Sequence, residues 1–84
     1  MGNIHTSGED YLEAILVLWN KQNGEVRSID VARELNVTKP SVSNAMKILR
    51  EGKFITMDEN GFITLTDAGR YVAEKIYEKH LVLT

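Results

Sequence analysis

Val37-Thr38-Lys39-Pro40-Ser41-Val42-Ser43-Asn44-Ala45-Met46-Lys47-Ile48-Leu49-Arg50 decides the fold. Val42, Ala45, Met46 and Leu49 recur at i, i+3, i+4 and i+7, the spacing of one apolar helical stripe. Lys39, Ser41, Ser43, Asn44 and Lys47 fall on the other side, with no carboxylate before Glu51. The pattern predicts a helix over residues 38–51. Thr38 is its N-cap and Pro40 sits in its first turn, where a missing N–H costs nothing. Val37 and Val42 take the two positions of a hydrophobic staple. A rigid helix with short hydrogen-bonding and cationic side chains on its outer face suits a DNA major groove.

The segments on either side extend this reading. Before the helix, Ser28 is expected to cap a shorter helix through Leu35, with Ile29, Ala32 and Leu35 facing inward. Asn36-Val37-Thr38 is the turn between the two. Two short helices joined by such a turn form a helix-turn-helix, whose second helix enters the groove. Upstream, Glu25-Val26-Arg27 reads as extended. A first helix is predicted from about Gly8 to Lys21, capped through Ser7-Gly8-Glu9-Asp10 and ended by Asn23-Gly24. Tyr11, Leu12, Ile15, Leu16, Leu18 and Trp19 make it apolar around much of its girth, which implies burial on more than one side.

Downstream, Gly52 stops the third helix as a glycine C-cap. Phe54-Ile55-Thr56-Met57 and Phe62-Ile63-Thr64-Leu65 are β-rich runs flanking Asp58-Glu59-Asn60-Gly61. Asn-Gly there signals a hairpin turn, so a wing follows the helix-turn-helix. Its tip carries Asp58 and Glu59, which phosphates repel, leaving Lys53 or backbone groups for any DNA contact. Thr66-Asp67 caps a last helix with Ala68, Val72, Ala73, Ile76, Tyr77 and Leu81 on its apolar side. The expected class is mainly α with a small β-hairpin: a winged helix-turn-helix over residues 1–84. The helical pattern is still running at Thr84, so the rest of the module is expected to lie outside this chain.

Composition narrows the function. The 84 residues are 43% hydrophobic and 26% charged, the balance of one globular domain. Without cysteine, disulfides and thiolate metal sites are excluded. No apolar run approaches the roughly 20 residues that span a bilayer, and no secretory signal is visible, so a cytoplasmic protein is expected. The opening Met-Gly-Asn-Ile-His-Thr fits a myristoylation pattern formally, a short pattern that matches often by chance. Net charge is −2, yet residues 26–53 hold six cations (Arg27, Arg33, Lys39, Lys47, Arg50, Lys53) against three anions (Asp30, Glu34, Glu51), a net of +3. A basic middle between acidic flanks fits a DNA-binding face. No nucleophile has a paired base and no glycine loop suits phosphate, which argues against an enzyme.

Glu9-Asp10-Tyr11-Leu12-Glu13-Ala14-Ile15, Asp30-Val31-Ala32-Arg33-Glu34-Leu35, Pro40-Ser41-Val42-Ser43 and Leu65-Thr66-Asp67-Ala68-Gly69, in this order and spacing, carry a family resemblance. The chain resembles the N-terminal DNA-binding domain of the metal-dependent repressors typified by the diphtheria-toxin repressor and the manganese transport regulator. The resemblance implies a cytoplasmic homodimer that binds palindromic double-stranded DNA operators when loaded with Mn²⁺ or Fe²⁺ and controls metal-uptake genes. It implies base contacts from Thr38, Pro40 and Asn44, and phosphate contacts from Arg27, Ser28, Ser41, Ser43 and Lys47, with Lys39 on the same face. The residue chemistry agrees: Asn pairs bidentately with adenine, and hydroxyls and cations hold the backbone.

The resemblance also implies metal ligands at Asp10, Glu13 and His80. Asp10 and Glu13 share a helix face at i, i+3. The toxin-repressor branch has a thioether where Asp10 stands, and hard carboxylates favour Mn²⁺ over softer ions. In the family the remaining ligands, and most of the dimer interface, come from a helix past Thr84, so the metal site is expected to be incomplete within this chain. Two other readings stand beside it. One is a metal-independent winged-helix regulator whose acidic residues are structural; the other is a winged helix serving only as a protein-interaction module.

Overall fold

The computed structural model describes residues 8–82, with side chains over residues 8–79. Ser7, expected to cap the first helix, lies outside the described residues. The elements run α1 (Gly8–Lys21), α2 (Ser28–Leu35), α3 (Lys39–Glu51), β1 (Ile55–Met57), β2 (Ile63–Leu65) and α4 (Asp67–Val82). This is the expected winged helix-turn-helix.

α1 is the centre of the packing. Tyr11, Leu12, Ala14, Ile15, Leu16 and Leu18 are all buried, and Trp19 packs half-buried against the same core. The helix touches α2, α3, β2 and α4, which accounts for an apolar surface too wide for one stripe. Each fully buried aliphatic side chain of this kind is worth about 1.5–3 kcal/mol. Asn23 and Gly24 end α1 with positive φ.

α2 departs from expectation in two places. Its N-cap is Arg27, in extended conformation, and Ser28 is already helical. The Asp30 carboxylate accepts the Arg27 N–H at 2.9 Å, so an acid in the first turn does the capping work expected of Ser28. Ile29 is 46% exposed. The inward stripe is Val31, Ala32 and Leu35, and Ile29 stands roughly 110° around the helix from its middle. Asn36 then takes φ +56°, and its N–H and that of Val37 both return to the Ala32 carbonyl. This left-handed stop lets α3 follow after two residues.

The wing is a two-stranded antiparallel hairpin pairing Ile55 with Leu65, Thr56 with Thr64 and Met57 with Ile63. Ile55, Ile63 and Leu65 are buried and Met57 is half-buried, while Thr56 and Thr64 face outward, the alternation that fixes register. Val26, fully buried, accepts the Ile63 N–H on its carbonyl at 2.8 Å. The extended Val26 segment thereby adds one rung beside β2.

The hairpin turn is not the two-residue form that Asn-Gly suggests. Asp58 donates its N–H to the Phe62 carbonyl, Gly61 donates to the Asp58 carbonyl, and the positive φ (+85°) belongs to Gly61 alone. The loop therefore has three residues, Glu59 to Gly61, ending in a left-handed glycine. The Asp58 carboxylate accepts the N–H groups of Asn60 and Phe62, each at 2.9 Å.

Two close approaches join the elements around the wing. Gly52 is the C-cap of α3 with φ −79°, and Lys53 takes the left-handed φ of +65°. A Cβ at 52 would meet the Phe54 ring at 3.1 Å, a tight contact that the ring has to give way to. A Cβ on Gly69 would lie 1.9 Å from the Phe54 carbonyl oxygen. Thr66 secures the same junction, with its N–H on the Phe54 carbonyl, its hydroxyl donating to the Lys53 carbonyl at 2.7 Å and its Oγ1 accepting the Gly69 N–H. The inner side of α4 therefore runs through Gly69, Val72, Ala73 and Ile76. Ala68, expected there, is exposed, and Tyr77 is 41% exposed.

Candidate nucleic-acid interface and metal-ligand positions

α3 has the two faces that its sequence predicts. Val42, Met46 and Leu49 are buried and Ala45 half-buried. Thr38, Lys39, Pro40, Ser41, Ser43, Asn44 and Lys47 are all exposed. The start of the helix is tightly specified. Thr38 Oγ1 accepts the Ser41 N–H at 3.3 Å and donates to Ser41 Oγ at 2.9 Å. Of the staple pair, Val42 is buried in the core and Val37 packs half-buried against it. Helix position and rotation are set by buried side chains, and the outward ones need no refolding to meet a ligand. Ile48, 57% exposed on the outer surface, is an apolar member of that face that sequence reading left out.

Arg27 and Ser28 stand at the N-terminal end of α2, Arg27 exposed and Ser28 half-buried. The Arg27 guanidinium lies over the Phe62 ring, 4.4 Å from its centroid. Nothing in the sequence links positions 27 and 62; the Val26–Ile63 rung makes them neighbours. At the wing tip Asp58 and Glu59 are exposed, but the Asp58 carboxylate is engaged by the turn it builds.

Asp10 and Glu13, both half-buried, line a pocket between α1 and α2 together with Ala14, Val17, Glu34 and Leu35, with a volume of about 290 Å³. Glu34 is a third carboxylate on that wall. Its neighbourhood depends on how α2 crosses α1, which no spacing reveals. Among the described residues no group of three His, Cys, Asp or Glu side chains is gathered tightly enough to hold a metal ion. His80 is in α4, but its side chain lies outside the described residues. The donors at 10 and 13 are hard oxygen ligands on one helix face and fit a Mn²⁺ or Fe²⁺ half-site in chemistry. Beside them, burial raises the pKa of the Tyr11 phenol above its ordinary 10.0.

With this geometry in view, residues 3–63 match the family described as the iron-dependent repressor N-terminal DNA-binding domain. The chain belongs to that family. It is 33% identical over 72 residues to an HTH-type transcriptional regulator of Methanocaldococcus jannaschii, covering 86% of this chain and 58% of the relative. It is 32% identical over 77 residues to the transcriptional regulator MntR of Salmonella typhimurium, covering 89% of this chain and 47% of that protein. The chain thus spans about half the length of the curated relatives it matches. Among solved structures, ScaR with bound Zn²⁺ superposes with a TM-score of 0.72 at 27% identity over 88% of this chain and 34% of that one. The MepR–DNA complex of S. aureus superposes at 0.64 with 26% identity, over 92% of this chain and 59% of that one. Family membership places the chain among DNA-binding domains rather than enzymes. No helix among the described residues is long and apolar enough to cross a membrane.

Proposed function

We propose that this chain is the DNA-reading domain of a metal-responsive transcriptional repressor. α3 enters the major groove, with Thr38, Pro40 and Asn44 at base edges. Arg27, Ser28, Ser41, Ser43 and Lys47 hold phosphates, and Lys39 adds charge to the same face. The observation that carries the reading is the outer face of α3: exposed, free of carboxylates before Glu51, and fixed from behind by three buried side chains. The DNA-bound MepR fold and the Zn²⁺-bound ScaR fold support DNA and metal as its two ligands. Asp10, Glu13 and His80 are the chain's share of a Mn²⁺ or Fe²⁺ site, completed by residues outside this chain. The working protein is a cytoplasmic homodimer on a palindromic operator, because two-fold sites need two reading helices roughly 34 Å apart. Its regulated genes are those of metal uptake.

The test uses the intact protein, a duplex selected by it from a random-sequence pool, and an unselected duplex. The selected duplex should bind at least about 10³-fold tighter. Mn²⁺ should tighten that binding further, and Asp10→Ala should remove the metal effect while leaving metal-free affinity intact. Equal affinity for both duplexes would sink the reading. Selective binding without any Mn²⁺ effect would leave a metal-independent regulator.

A further inference from the structure

The Arg27–Phe62 stack joins the helix-turn-helix to the wing, and neither residue reaches the other by chance. The Val26 carbonyl holds the Ile63 N–H at 2.8 Å, which places the next residue of one segment beside the preceding residue of the other. Phe62 is fixed at both backbone polar groups by Asp58: its N–H donates to the carboxylate at 2.9 Å, and its carbonyl accepts the Asp58 N–H at 3.0 Å. Arg27 is fixed in turn by its own N–H on Asp30. Both side chains therefore leave from anchored backbone, and the guanidinium settles 4.4 Å from the ring centroid.

A guanidinium that stacks uses only its flat face. Its five N–H donors point outward in the plane and remain available to a phosphate. An exposed arginine otherwise loses much of its rotamer freedom on binding. Stacking removes part of that freedom beforehand. We propose that Phe62 is a positioning residue for DNA binding: its ring holds the Arg27 guanidinium in place for a backbone phosphate. The wing then serves DNA binding without touching DNA, and the acidic Asp58 at its tip serves by building the turn that presents Phe62. This rests on the reading of Arg27 as a phosphate contact.

The experiment measures binding of the full chain to a mixed-sequence DNA duplex across a salt series, with folding of each variant checked by circular dichroism. Arg27→Ala should lower the slope of log affinity against log salt by about 0.9, the loss of one phosphate contact. Phe62→Leu should weaken binding about two- to five-fold, the scale of an exposed cation–π contact. Phe62→Tyr should restore it, and Phe62→Leu should add no loss in the Arg27→Ala background. Arg27→Lys keeps the charge but loses the planar stack, and should weaken binding even though the wing is untouched. Independent, additive losses from Phe62→Leu and Arg27→Ala, or wild-type binding by Arg27→Lys, overturn the proposal. If Arg27→Ala weakens binding and folded Phe62→Leu does not, the role of Phe62 fails and the phosphate contact stands. If Arg27→Ala changes neither affinity nor slope, both fail together.

Discussion

The outer face of α3 and the acidic pocket between α1 and α2 differ in how much of each is made by neighbouring residues. On α3 and its cap, every polar side chain assigned to DNA lies within ten positions, Thr38 to Lys47, and the cap that orients them is the Ser41 N–H donating to Thr38 Oγ1. The pocket draws Asp10 and Glu13 from one helix and Glu34 from another, and its histidine partner in the proposed metal site comes from α4. A reading face can be written in one helix because helical geometry alone sets the spacing of its side chains. A coordination site cannot, because ligands must converge on a point from several directions. Base preference should therefore depend chiefly on α3 itself, and metal response should be sensitive to how the helices are set against each other.

The largest effect should come from a change to the fold that carries both regions. Gly69→Ala puts a methyl group 1.9 Å from the Phe54 carbonyl oxygen. The junction of α4 with the wing has to open, and overpacking against backbone should cost at least about 3 kcal/mol. Thermal unfolding followed by circular dichroism reads the loss, and a variant with an unchanged midpoint would show that this junction is slack.

Asn44→Ala should separate the two regions. On the selected operator it should cost about 1–3 kcal/mol and relax preference at one base position. Affinity for unselected DNA and the response to Mn²⁺ should stay as they are. A variant that loses its metal response as well would show that the two sites are coupled through α3.

Lys47→Ala sharpens the same contrast at smaller scale. It should weaken all sequences alike and reduce the salt slope by about 0.9. A sequence-dependent loss, measured by fluorescence anisotropy on several duplexes, would move Lys47 from phosphate to base.

The smallest effect is a matter of pH. Burial raises the Tyr11 pKa in the folded chain, so the folded state holds its proton where the unfolded state begins to release it. The neutral phenol's contribution is complete below the ordinary value near 10.0 and is lost as pH climbs from there through the folded value. Unfolding midpoints should decline over that alkaline range in the wild type and less so in Tyr11→Phe.

Much of this molecule can be read along the chain because its decisive bonds are short-range. The cap of α3, the stop at Asn36 and the amphipathic stripes depend on residues at most seven positions apart. Where the structure differs, a competitor also close in sequence won: Arg27, with its N–H on Asp30, over Ser28 at the start of α2, and a three-residue loop over Asn-Gly in the hairpin. Those errors move boundaries and leave the architecture alone.

By itself, the sequence determined the kinds of element, their order, and the polar face of α3, through periodicity, capping and charge. Only the tertiary structure decided that Arg27 meets Phe62, that Gly69 rests on the Phe54 backbone, and that Glu34 joins the wall occupied by Asp10 and Glu13. These pairs are separated by 15 to 35 positions in the chain, and local hydrogen bonds do not reach so far. The Val26–Ile63 rung, the Thr66–Phe54 bond and the packing of α1 on α2 bring them together, and that tertiary geometry, rather than any spacing in the chain, sets which side chains meet.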